Sequence, residues 1–206
     1  MALVPVPLNP CTKPLPERVR EFLADAVERA DAFIEDRRNN PVPGFVCSDY
    51  EAVYRILAAV KRERLAPGDF LCEWGCGFGI AAGLAAMLEY RAVGIEIDAD
   101  LVKGGRGLLR DWQLPVELVR GSFVPPGCEH LLDDSGQFVW IVGDGSDAFD
   151  TLGLDSDDSD LVFAYPWPGE EEILDRLFHR LAGYGSLLVT YNGRQECRVQ
   201  RKVRKK

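Results

Sequence analysis

A doubly wound, mostly parallel α/β sheet with an N-terminal helical extension is the fold class this chain predicts, on three observations. Two short apolar runs, residues 70–74 and 91–96, flank a stretch of small helix-forming residues, which is the strand, helix, strand order of a parallel unit. Glycines at alternate positions, Gly75, Gly77 and Gly79, stand where the first strand must turn into that helix. Strand-like and helix-like segments then keep alternating to the end of the chain. At 206 residues there is enough chain for one such domain with a full core and an extension.

The elements follow in order. Residues 1–16 hold five prolines and predict a poorly ordered arm or a strap across the surface. Residues 17–38 place Val19, Phe22, Leu23, Ala26, Val27, Ala30, Phe33 and Ile34 on one stripe, an amphipathic helix that packs on the domain, lids a ligand or meets a second copy. Pro41, Pro43 and Gly44 break it. Ser48 and Glu51 are spaced as a capping box, so a second helix begins near residue 49 and runs to about residue 65 on Val53, Ile56, Leu57 and Val60. The strand at 70–74, the helix at 80–90 and the strand ending on Glu96 come next. Asp98 is placed to cap a helix carrying Leu101, Val102, Leu108, Leu109 and Trp112, although Gly104, Gly105 and Gly107 within it each weaken a helix by about 1 kcal/mol relative to alanine.

Residues 116–120 read as a third strand. Residues 124–160 read as an acidic insertion holding a strand at 137–143 and a helical turn at 147–152. Asp144, Asp147, Asp150, Asp155, Asp157, Asp158 and Asp160 make it either a solvated loop or a docking patch for a basic substrate. A fourth strand at 161–165, a helix at 170–181 with acids in its first turn and Gly183 past its end, a fifth strand at 186–191 and a sixth at 195–203 complete the series. The divisions expected are an arm and helix over 1–44, a ligand-binding domain over 45–196 and a basic tail over 197–206.

The glycine turn carries the chemistry. Glycine tolerates positive φ and has no side chain, so a strand can bend into a helix with its backbone against a ligand. The helix behind it presents unpaired N–H groups and a positive dipole end. Glu96 closes the neighbouring strand about 20 residues on, where a carboxylate can accept hydrogen bonds from two ribose hydroxyls. Together these predict a nucleotide-cofactor site.

At these residues the sequence resembles the class I S-adenosylmethionine-dependent methyltransferases, Rossmann-like enzymes whose first motif is an acid followed by Gly-x-Gly-x-Gly. Glu73, Gly75, Gly77 and Gly79 match that motif, and Glu96 matches the acid closing the next strand. The resemblance covers roughly residues 45–192 and implies that Glu73 and the glycine loop hold the methionine part of S-adenosyl-L-methionine, with Glu96 on its ribose. Phe45, Val46 and Ser48 are similar to a segment that closes over the cofactor in compact lysine methyltransferases of the non-SET type, with Cys47 where proline is usual. Ser122 stands where many relatives have the aspartate that meets the adenine amine, and Phe123 offers a ring face. Relatives that methylate base amines carry Asn/Asp-Pro-Pro-aromatic where this chain has Tyr165, Pro166, Trp167 and Pro168, so the signature of base methylation is missing.

The implied activity is methyl transfer to an amine, on a protein lysine or a small molecule, with Tyr165 and Trp167 as the catalytic wall and Tyr191 and Asn192 nearby. A sulfonium methyl is already reactive, so such a site needs alignment and exclusion of water rather than a nucleophilic triad. Two other classes stay open: an NAD(P)-dependent oxidoreductase, whose Gly-x-Gly-x-x-Gly spacing fits worse, and a cofactor-binding module without catalysis.

Composition sets further bounds. Hydrophobic residues at 47% and charged residues at 28% are ordinary for a soluble domain. A net charge of -9 argues against a general affinity for nucleic acid unless a local basic patch overrides it. No apolar run is long enough to span a bilayer, and the proline-broken N-terminus makes a poor signal peptide. Six cysteines without Cys-x-x-Cys predict reduced thiols in a cytoplasmic protein. With two histidines, His130 and His179, and no calcium-loop pattern, no metal site is expected; His179 suits the C-terminal end of its helix. The sequence leaves the oligomeric state open.

Overall fold

The structure, a computed structural model, describes residues 2–10, 12–132, 140–192 and 197–204. Its centre is β2 (Phe70–Trp74), five consecutive buried residues. On one side β2 pairs in parallel with β3 (Arg91–Glu96), which pairs in parallel with β4 (Val116–Arg120). On the other it pairs in parallel with β5 (Leu161–Ala164), which pairs in parallel with β6 (Leu187–Tyr191). The order reverses between β2 and β5, and in an open sheet of this kind the crevice at the carboxyl ends of those two strands is where a ligand sits.

Two antiparallel strands finish the sheet. β7 (Cys197–Val203) lies against β6, and β1 (Ala2–Pro5) lies against β7, giving the order β1-β7-β6-β5-β2-β3-β4. The segment expected as an arm or strap therefore begins as a strand, and the seventh strand comes from the start of the chain. Pro5, which has no N–H to donate, is tolerated because β1 is an edge. The basic residues of β7 are not a solvated tail. Arg198 forms a forked pair with Asp175 at 2.7 and 3.2 Å, Arg201 donates to the Leu65 carbonyl at 2.7 Å, and Lys202 is buried with its ammonium on the Ala182 carbonyl.

Helices cover both faces. Strand alternation sends Leu71, Phe163, Leu187 and Val189 toward α2 (Tyr50–Glu63) and α3 (Ile80–Met87), and Cys72, Val162, Ala164 and Leu188 toward α6 (Glu171–Leu181) and the short α5 (Ala148–Leu152). α1 (Glu17–Asp36) lays Val19, Phe22 and Ala26 over Ile80 and Leu84 of α3, the packing role among those the sequence allowed. α4 (Ala99–Asp111) packs Val102 and Leu109 on Leu118 of β4. Two of its glycines have steric reasons: a Cβ at Gly104 would meet the Phe78 ring at 2.7 Å, and one at Gly105 would meet the Phe78 carbonyl oxygen at 2.7 Å.

The local expectations are met with small departures. α2 is capped by Asp49, whose carboxylate accepts from the Ala52 N–H at 3.0 Å, so the cap is one residue later than the Ser48 capping box predicts. α3 stops at Met87 rather than at residue 90. Residues 140–143, expected as a strand, are irregular, and the rest of that expectation, 137–139, lies outside the described residues. No helix among the described residues is long and apolar enough to cross a membrane.

Candidate active site

A cavity of about 450 Å³ opens at the carboxyl ends of β2, β3 and β5, at the point where the strand order reverses. Its floor is the glycine turn. Gly75 and Gly77 have φ of +68° and +53°, and a Cβ on Gly77 would stand 2.8 Å from the Phe45 ring. Substitution there would therefore cost backbone strain and space together. Gly79, expected in the same cradle, does not line the cavity; it is the αL residue ahead of α3, and a Cβ there would strike Leu118 at 2.8 Å. Its role in this structure is close packing of helix against strand.

Both predicted acids border the cavity. Glu73 is buried, accepts from the Ala82 N–H at 2.7 Å, and burial pushes its carboxyl from an ordinary 4.5 to about 8, with the Ala82 bond opposing the shift and the Glu96 charge adding to it. Glu96 accepts from the Gly77 N–H at 2.8 Å and the Asp98 N–H at 2.9 Å, one on each oxygen, and burial raises its pKa against the pull of those N–H groups. The bond from Gly77 ties the glycine turn to the next strand and sets both at one height. Tyr50, also in the lining, is half-buried, and desolvation of its hydroxyl pushes the pKa well up.

Ser48, Ser122 and Phe123 border the cavity as well. Ser122 gives its hydroxyl proton to the Val142 carbonyl at 2.6 Å and accepts from the Val124 N–H at 3.0 Å, so the side chain expected against an adenine amine holds two loop segments together. Phe123 stacks on Trp74, centroids 5.3 Å apart and planes 7° from parallel.

Tyr165 and Trp167 both face the cavity. Tyr191 buttresses Tyr165 edge-on at 5.0 Å, whereas neither Tyr191 nor Asn192 is in the lining. Trp167 donates its indole N–H to the Gly44 carbonyl at 2.9 Å, latching residues 42–46 over the opening.

The residue that organises this wall has no signature in the sequence. Glu170, 2% exposed, accepts three backbone N–H groups, from Trp140 at 2.5 Å, Ile141 at 3.1 Å and Trp167 at 2.9 Å. It looks like an ordinary acid in the first turn of a helix. Instead it clamps two loops so that Trp140, 47% exposed, and Trp167 border one opening.

The charges of the cavity are of one sign. Glu73, Glu96, Asp98 and Glu170 are in the lining, and among the described residues no lysine, arginine or histidine is.

No protein-family model and no curated protein matches this sequence. Solved structures do match it. An RNA methyltransferase from Salinibacter ruber, in complex with S-adenosyl-L-homocysteine, superposes with a TM-score of 0.51 at 22% identity over 76% of this chain and 92% of that one. An O-methyltransferase from Bacillus cereus, also in complex with that product, gives 0.52 at 14% identity over 87% and 67%. A methyltransferase from Geobacter sulfurreducens gives 0.50 at 18% identity over 92% and 99%. The chain has the Rossmann-like methyltransferase fold. Two of the three carry different acceptor names on that one fold, RNA and oxygen, so the fold leaves the acceptor open.

Proposed function

We propose that this protein is an S-adenosyl-L-methionine-dependent methyltransferase acting on an amine. The observation that carries the reading is the charge of the cavity: among the described residues four acids and no lysine, arginine or histidine line it, with burial favouring the protonated form of one of them, Glu73. A dinucleotide would have to lay its pyrophosphate among acids, whereas a sulfonium nucleoside brings positive charge to them. That chemistry, with the glycine turn at Gly75 and Gly77 and the paired backbone bonds of Glu96, fits S-adenosyl-L-methionine and disfavours NAD(P). Two of the similar structures hold the demethylated product, which supports the same cofactor.

In this reading Gly75, Gly77 and Glu73 hold the amino-acid end, Glu96 the ribose, and Phe45, Val46, Ser48 and Phe123 enclose the nucleoside, while Gly79 acts only through packing. The cofactor supplies an electrophilic methyl group. The chain's own residues supply alignment and dryness: Tyr165, Trp167 and Trp140 wall the acceptor slot, and Glu170 fixes the loops that carry the two tryptophans. Among the described residues no histidine or lysine stands in the lining to deprotonate a hydroxyl, which favours an acceptor whose lone pair becomes available once its ammonium proton has passed to water or a lining carboxylate. An amine drawn in by the acids and desolvated against the aromatic wall meets that need.

Calorimetry with S-adenosyl-L-methionine, S-adenosyl-L-homocysteine and NAD tests the cofactor, and radiolabelled donor with fractionated lysate tests the acceptor. Binding of the first two but not NAD, with label in an amine-bearing fraction, is the expected result. Binding of NAD alone overturns the reading, and donor binding without label in any fraction reduces the protein to a binding module. Trp167→Ala should lower methyl transfer while leaving donor affinity within a few-fold; unchanged turnover would remove the wall from the mechanism.

A further inference from the structure

A second cavity, of about 330 Å³, lies on the outer side of α4 where it meets β4. Lys103, Arg106, Arg110 and Arg120 line it, and no acid among the described residues does, on a chain whose net charge is -9. The neighbouring acids are engaged elsewhere. Asp100 pairs with Arg37, which follows α1, and Asp111 with Arg29 of α1, while Asp98 accepts the N–H groups of Asp100 and Leu101 as the α4 cap. Arg110 touches Asp111 only at 3.5 Å, and Lys103, Arg106 and Arg120 form no ion pair among the described residues. Strand alternation turns Glu117 away from the face on which Leu118 meets α4.

Two of the guanidinium groups are held in place by neutral partners. Arg106 gives Nε and Nη2 to the Leu118 carbonyl at 3.2 and 2.7 Å, and Arg120 gives Nε to the Ile97 carbonyl at 3.4 Å. Their positions are set and their charges remain uncompensated. Gly107 is the independent observation. Unlike Gly104 and Gly105, it has nothing within 4 Å of where a Cβ would be, so packing does not explain a glycine in mid-helix. It lies in the cavity lining, where the missing side chain opens the helix backbone to a ligand.

We propose that this groove holds the phosphodiester backbone of a single-stranded nucleic acid. From Lys103 to Arg110 the helix advances about 10 Å, enough for two consecutive phosphates. A densely charged chain overcomes the repulsion of an acidic protein only along such a stripe. A bilayer surface is flat and meets a concave groove poorly. Backbone contacts of this kind carry no sequence preference.

The proposal stands apart from methyl transfer, and its test needs no donor. Fluorescence anisotropy with a labelled oligouridylate, from about 50 to 200 mM salt, should show binding that weakens with salt. Lys103→Ala/Arg110→Ala, two exposed positions, should lose about tenfold in affinity at the low-salt end and flatten the log–log salt slope by about 1.4, at about 0.7 per lost phosphate contact. Gly107→Glu should weaken binding as well. Absence of binding, equal affinity in the double variant, or equal displacement by inorganic phosphate, polyglutamate or anionic vesicles overturns the proposal. Calorimetry with S-adenosyl-L-methionine on the same variants separates the two readings: donor affinity should be unchanged in them, and its absence from the parent protein would sink the methyltransferase reading while leaving the oligonucleotide result intact.

Discussion

Gly77 shows what one missing side chain does here. Its positive φ and its 2.8 Å clearance from the Phe45 ring leave an L-residue neither the backbone nor the room it needs. Gly77→Ala should cost about 1–2 kcal/mol of stability. Because the turn also carries the N–H that Glu96 accepts, donor affinity should fall about tenfold or more, read by calorimetry. Glu73 gives a pH prediction whose sign is fixed by its direction of shift. Its folded-state pKa, about 8, lies above the ordinary 4.5, so its contribution to stability is complete below the lower value and is lost as pH rises toward the higher one. Glu73→Gln keeps an oxygen for the Ala82 N–H but does not titrate. Urea midpoints measured between about pH 5 and 8.5 should decline less in the variant than in the parent protein. A variant as pH-sensitive as the parent would mean that Glu73 is ionised throughout.

At the level of elements, legibility followed locality. β2, β3 and the turn between them were readable because each is specified by its own residues: an apolar run, a glycine where φ must be positive, an acid at the strand end. The acceptor wall was readable only in half. Tyr165 and Trp167 announce themselves beside prolines, but Glu170 gathers N–H groups from residues about 30 positions away, and no local pattern encodes that. Gly107 was visible as an oddity in the sequence, and only the structure separates it from the two glycines beside it. β1 was missed for the same reason as Glu170. Four residues with a proline carry almost no strand signal of their own and become a strand because β7 offers an unpaired edge. Removal of residues 1–7 should uncover that edge, lower stability by a few kcal/mol and promote self-association, read by urea unfolding and light scattering. A monomeric, equally stable truncated protein would show the β1 pairing to be idle.

Across the whole molecule, charge is sorted by place. Acids gather round the large cavity, Arg29 and Arg37 pair with the acids of α4, and Lys103, Arg106 and Arg120 on the opposite flank have no ion-pair partner among the described residues. The pairing of Ala2 with Val203 has a kinetic consequence. Joining segments so far apart along the chain costs closure entropy that only the finished sheet repays, so this ladder should form after the rate-limiting barrier has been crossed. Substitutions in β1 should then accelerate denaturation in stopped-flow experiments and leave the refolding limb of the chevron where it was. The outermost strand would act as a brake on opening, with no part in nucleating the domain.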